Sequence, residues 1–97
     1  MTEHKASVGI QIIPKSKSLD TYELVDAAIQ VIQESGVKHI ITPFETVMEG
    51  DYNHLMSVAN QAQKAVLDAG ADECLVYFRI HYRKDSDVTF EEKRMDR

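Results

Sequence analysis

Twice along this chain an amphipathic helical stretch runs into a glycine and then directly into a β-rich run: ESGVKHII around Gly36 and DAGADECL around Gly70. A glycine just past a helical stretch is the usual helix stop, because it adopts the left-handed conformation without steric cost. Two such recurrences are too few for an array that buries its core by stacking repeats. The chain therefore reads as two βαβ-type halves of one domain spanning residues 1–97, a length that supports a single modest core.

The first half opens on Ala6 to Ile13, where Val8, Ile10 and Ile12 alternate with Ser7, Gly9 and Gln11. That period of two predicts a strand, with Pro14 expected to stop it. Asp20 and Glu23 form a capping pair for a helix in which Tyr22, Val25, Ala28, Ile29 and Ile32 recur at helical spacing. VKHIIT is the next strand. Pro43-Phe44 is expected to turn it, since proline fixes φ and donates nothing to a ladder. ETVME then returns, Gly50-Asp51 ends it, and Asp51 is the expected N-cap of a second helix carrying Leu55, Val58, Ala59, Ala62, Ala65, Val66 and Ala69. The final strand, ECLVYFRIHYR, places Cys74, Val76, Phe78, Ile80 and Tyr82 on one face and Leu75, Tyr77, Arg79, His81 and Arg83 on the other. Beyond it the chain is polar, and Thr89 before Phe90-Glu91-Glu92 predicts a short terminal helical tail.

Short connections and right-handed crossovers leave one dominant arrangement, an α+β ferredoxin-like βαββαβ fold with a four-stranded antiparallel sheet and both helices on one face. The more uniformly apolar face of the last strand should meet the helices. Leu75, Tyr77, Arg79 and His81 then look outward with Gly9, Gln11 and Ile13. Apolar side chains on such an uncovered face point to a partner subunit or a ligand, so self-association is expected.

Eleven basic against sixteen acidic residues give a net charge of −5, with no Lys/Arg cluster that would track a phosphate backbone. Nucleic acid is not an expected partner, and the acidic balance favours a cationic ligand. A lone cysteine, Cys74, excludes an intrachain disulfide, and no apolar run has membrane-spanning length. No membrane partner and a cytoplasmic location are the expectations. The four histidines have no metal-ligand spacing among themselves or with Cys74, and the dispersed glycines build no phosphate loop, so no metal or cofactor is expected. Glu45 and Glu49 share a strand face about 13 Å apart at ~3.3 Å per residue, too far for a paired-carboxylate mechanism. Glu45 reads as a hairpin-rim residue, and Glu49 as a strand-end carboxylate or a ligand contact. The outward group Gln11, Tyr77 and Arg79 fits a subunit interface and also a stacking platform for a flat ring.

The segment SGVKHIITPFETVMEGD, with its TP-x-x-T-x-x-EG spacing, resembles the thiamine-binding protein family of small ferredoxin-like proteins. Ile12-Ile13-Pro14, Ala69 to Ala71 and the exit RIHYRKD (Arg79 to Asp85) extend the resemblance from about Ala6 to the tail. What it implies is binding of thiamine or its hydroxymethylpyrimidine part without an established reaction, by dimers that commonly pair into tetramers. It carries over Thr42, Thr46 and Glu49 as candidate polar contacts and Phe44 as a stacking residue, while Gln11, Tyr77 and Arg79 come from the face argument. Arg79 beside a thiazolium needs an acid partner such as Glu49. The alternatives are a structural or regulatory oligomer whose open face is only an interface, and a cofactor-free enzyme with His81 as its one candidate.

Overall fold

In a computed structural model that describes residues 4–94, strand β1 (Lys5–Lys15) is followed by helix α1 (Thr21–Ser35), β2 (Lys38–Ile41), β3 (Thr46–Asp51), α2 (Tyr52–Asp68) and β4 (Glu73–His81). A 3₁₀ turn at Glu91–Lys93 closes the described chain. The four strands form one antiparallel sheet in the order β2-β3-β1-β4, the expected ferredoxin-like topology. Asp20 caps α1 by accepting from the Glu23 N–H at 3.3 Å, and Asp51 caps α2 through the His54 N–H at 3.0 Å. Gly36 ends α1 at φ 79°, the left-handed conformation for which glycine is suited.

Both helices cover one face of the sheet. Ala6, Val8 and Ile10 of β1 meet Met48 of β3, Leu24, Ala28 and Ile32 of α1, and Leu55, Val58, Ala59, Ala62 and Val66 of α2 in a buried core. The buried stripe of α1 thus runs through Leu24 rather than Tyr22, which is 79% exposed. Pro14 does not stop β1. The strand continues to Lys15, with Pro14 opposite Cys74 of β4. Pairing with β3 has already ended at Ile10↔Thr46, so beyond that point β1 has a neighbour on one side only, and a residue without an N–H is tolerated there.

The last strand has the predicted facing but not the predicted burial. Register puts Val76, Phe78 and Ile80 on the helix side with Ile12, Ile10 and Val8. Yet Phe78 and Ile80 are 37% and 45% exposed, because β4 is an edge strand and α2 sits mainly over β1 and β3. Leu75 and Tyr77 on the opposite face are exposed as well, so β4 carries exposed apolar side chains on both faces, although Cys74 and Val76 pack against the core.

Met48 has no exposed surface and sits where both helices meet the sheet. Met48→Ala should cost about 3 kcal/mol of unfolding free energy through the cavity it leaves. Asp51→Ala, which removes only a cap, should cost about 1 kcal/mol. Urea unfolding of both variants checks the ranking.

Candidate functional site

The turn Thr42-Pro43-Phe44-Glu45 is built around one hydroxyl. Thr42 Oγ1 accepts from the N–H groups of Phe44 (3.2 Å) and Glu45 (3.0 Å) and donates to the Glu45 carbonyl (2.7 Å), which also accepts the Thr42 N–H at 2.9 Å. A hydroxyl has one donor and two acceptor sites, so that of Thr42 is fully engaged in shaping the turn. Pro43 supplies the fixed φ that such a turn favours at its second position.

Where β3 leaves β1, a groove of about 230 Å³ opens between the hairpin tip, the far end of β1 and the start of α1. Thr46 lines it and makes no side-chain hydrogen bond among the described residues although it is only 7% exposed. Gln11, Glu45 and two aromatic side chains, Phe44 and Tyr22, complete the polar and ring-bearing part of the wall. Phe44 and Tyr22 are each 79% exposed, a costly display unless something flat covers them.

The open face of the sheet carries a second arrangement. After β4 the chain doubles back across it: the Val88 N–H donates to the Lys5 carbonyl at 2.8 Å, and the Phe90 N–H donates to Glu49 Oε1 at 2.6 Å. Glu49 is 6% exposed, and its second oxygen lies 3.4 Å from Lys38 Nζ, which also sits 5.4 Å from the centre of the Phe90 ring. Tyr82 stacks on Tyr52 at 4.7 Å, fixing the exit from β4 against the start of α2. Thr89 and Glu92 cap each other reciprocally, at 3.3 Å and 3.2 Å, and the tail they hold forms only the short 3₁₀ turn. Arg83 grips the Glu92 carboxylate with two nitrogens. This grip, together with the Thr89 N–H, pulls the Glu92 pKa from 4.5 down to about 2.

The seven sequence-derived candidates therefore divide between two places. Thr42, Phe44, Thr46 and Gln11 line the groove beside α1, whereas Glu49, Tyr77 and Arg79 lie on the open face, where register puts Gln11 opposite Tyr77. Glu49 anchors the tail, and the acid partner of Arg79 is Glu45, at 3.8 Å. Glu45 is more than a rim residue: its carboxylate lies over Gly9, where any Cβ would collide with it. Spacing alone did not single out Tyr22, because its position fits the helical period; only its phase relative to Leu24, Ala28 and Ile32 sets it outside the core. His81 stands exposed, with Lys93 Nζ 2.8 Å from its Nδ1. Among the described residues no three His, Cys, Asp or Glu side chains gather as a metal site, and no helix is long and apolar enough to cross a membrane.

The fold and its uncovered face define the class, a ferredoxin-like α+β domain with a small groove at a proline-turned hairpin. Residues 8–96 match the model of the thiamine-binding protein family, and the chain belongs to that family. It is 34% identical to a UPF0045 protein of Clostridium perfringens, over 90% of each chain. Among solved structures it is similar to a domain of unknown function, DUF77, from Bacillus cereus, with 38% identity, a TM-score of 0.92 and coverage of 94% of this chain and 88% of that one. It is also similar to a Thermotoga maritima protein described as a candidate for thiamine biosynthesis or salvage, with 26% identity, a TM-score of 0.81 and coverage of 92% and 94%.

The Glu92 carboxyl has a lower pKa in the folded chain than when unfolded. Its contribution to holding the tail is therefore full above about 4.5 and lost as pH falls toward about 2. The amide resonances of Val88 to Lys93 should keep their folded positions at pH 4 and move only on further acidification. Arg83→Gln should raise the midpoint of that movement toward 4.5, read by NMR titration.

Proposed function

We propose that this chain binds thiamine or its hydroxymethylpyrimidine part at the hairpin groove, without a reaction of its own, as a homodimer or homotetramer. The observation that carries the reading is the pairing of an unengaged Thr46 hydroxyl with two largely exposed aromatic rings, Tyr22 and Phe44, around one opening. At about 230 Å³ the groove suits a single ring rather than a drug-sized molecule. An aminopyrimidine needs a few fixed donors and acceptors, which Thr46, Gln11 and Glu45 supply. A thiazolium at the mouth carries a permanent positive charge that the faces of Tyr22 and Phe44 stabilise. Arg79, paired with Glu45 and lying on the other face of the sheet, does not oppose that cation directly. Membership of the thiamine-binding protein family supports the same ligand class.

Isothermal titration with thiamine and with hydroxymethylpyrimidine tests the reading, and absence of saturable heat at millimolar ligand would sink it. Thr46→Val keeps the volume and removes the hydroxyl, so affinity for the pyrimidine should fall by about 1 kcal/mol, or roughly fivefold.

The structural-oligomer reading has its own support in β4, whose Leu75 and Tyr77 on one face and Phe78 and Ile80 on the other are exposed together. A second copy seated along that edge would cover both faces. Tyr77→Ala combined with Arg79→Ala should shift the sedimentation profile toward monomer. If assembly is lost while no ligand ever binds the parent chain, this second reading replaces the first.

A further inference from the structure

The cavity beneath the C-terminal segment is larger than the groove and has the opposite chemistry. It measures about 510 Å³, within the range of about 300–1,000 Å³ usual for small-molecule sites. Ile40 and Val47 on the open sheet face and Phe90 of the tail give it an apolar wall. Three cations, Lys38, Lys93 and Arg94, stand around that wall.

Two of these cations are matched nearby. Arg94 holds Glu91 with contacts of 2.9 and 2.8 Å, and Lys38 shares the Glu49 carboxylate with the Phe90 N–H. Lys93 has no carboxylate within reach among the described residues; its ammonium meets only the Nδ1 of His81, at 2.8 Å. A positive excess thus sits at this one cavity of a chain whose net charge is −5. A second, independent feature points the same way. Ser7 is 8% exposed, lines the cavity floor, and its hydroxyl makes no hydrogen bond among the described residues. The hydroxyl oxygen keeps surface open to the cavity, so a ligand there can supply the partner that the chain does not.

We infer that this cavity is a second ligand site, which takes a small anion carrying a ring-sized apolar body. The apolar part lies against Ile40, Val47 and Phe90, and the anionic group meets Lys93 with the Ser7 hydroxyl as a further donor. A thiazolium-bearing molecule is disfavoured here by the same charges, so the two sites of one domain select ligands of opposite sign. The inference does not depend on what fills the hairpin groove.

Sodium phenylacetate serves as the anionic probe, with 2-phenylethanol and 2-phenylethylamine as its neutral and cationic counterparts, each titrated into the ¹⁵N-labelled full chain. Phenylacetate should give saturable amide shifts at Ser7, Ile40, Val47 and Phe90 while Tyr22 and Thr46 stay in place. Lys93→Gln, at an exposed position, should keep the folded spectrum and raise the dissociation constant about tenfold, the usual scale for losing a hydrogen bond to a charged group. The site assignment fails if the alcohol or the amine binds as well as the acid, if Lys93→Gln changes nothing, or if phenylacetate does not saturate at tens of millimolar. Shifts confined to Tyr22 and Thr46 would also overturn it, by moving the anion to the groove.

Discussion

The ladder of β1 pairs with β3 alone at Lys5 and Ala6, with both neighbours from Ser7 to Ile10, and with β4 alone from Gln11 to Lys15, and this change in pairing organises the molecule. The even residues Ala6, at its entrance, and Val8 and Ile10 within the two-sided part are sealed under the helices, so the core forms where the sheet is most constrained. In the one-sided part β3 has given way to its hairpin, and the space so released becomes the groove beside α1. The odd residues of the two-sided part, Ser7 and Gly9, are small, and that absence of side-chain bulk lets Glu45 lie across the open face and the tail settle on it. Core, groove and open-face cavity are thus three consequences of one strand's register.

Two ligand-sized spaces on opposite faces of one thin sheet need a means of staying distinct, and charge supplies it. The exposed rings of Phe44 and Tyr22 make the groove hospitable to a cation. Lys38 and Lys93 make the cavity under the tail hospitable to an anion. Thr42 lines both spaces, whereas Glu45 lines the groove and turns its carboxylate to Arg79 above Gly9, outside the cavity under the tail.

Local chemistry made much of this legible in the sequence. Asp20, Asp51 and Gly36 act within one turn of their own positions, so their roles follow from residue type alone. The Thr89–Glu92 capping pair is equally local. Features that depend on neighbours distant in the chain were not legible. Whether Pro14 ends a strand depends on whether another strand claims its N–H side, and that side is vacant. Tyr22 fits the helical period but not its buried phase, which the sheet beneath α1 determines. The signature residues Thr42 and Glu49 were visible as a pattern. What the pattern could not say is that Thr42 spends its hydroxyl on the turn, or that Glu49 faces a segment forty-one residues further along.

That last contact separates attachment from recognition. Glu49 grips the main-chain N–H of residue 90, a group every amino acid except proline provides. The tether therefore places almost no demand on the side chain it holds, and the wall that Phe90 contributes to the cavity is free to change in size or polarity while the tail stays fastened to the sheet. A fixed clamp with an interchangeable wall is a way for one backbone to serve different ligands by altering a single tail residue.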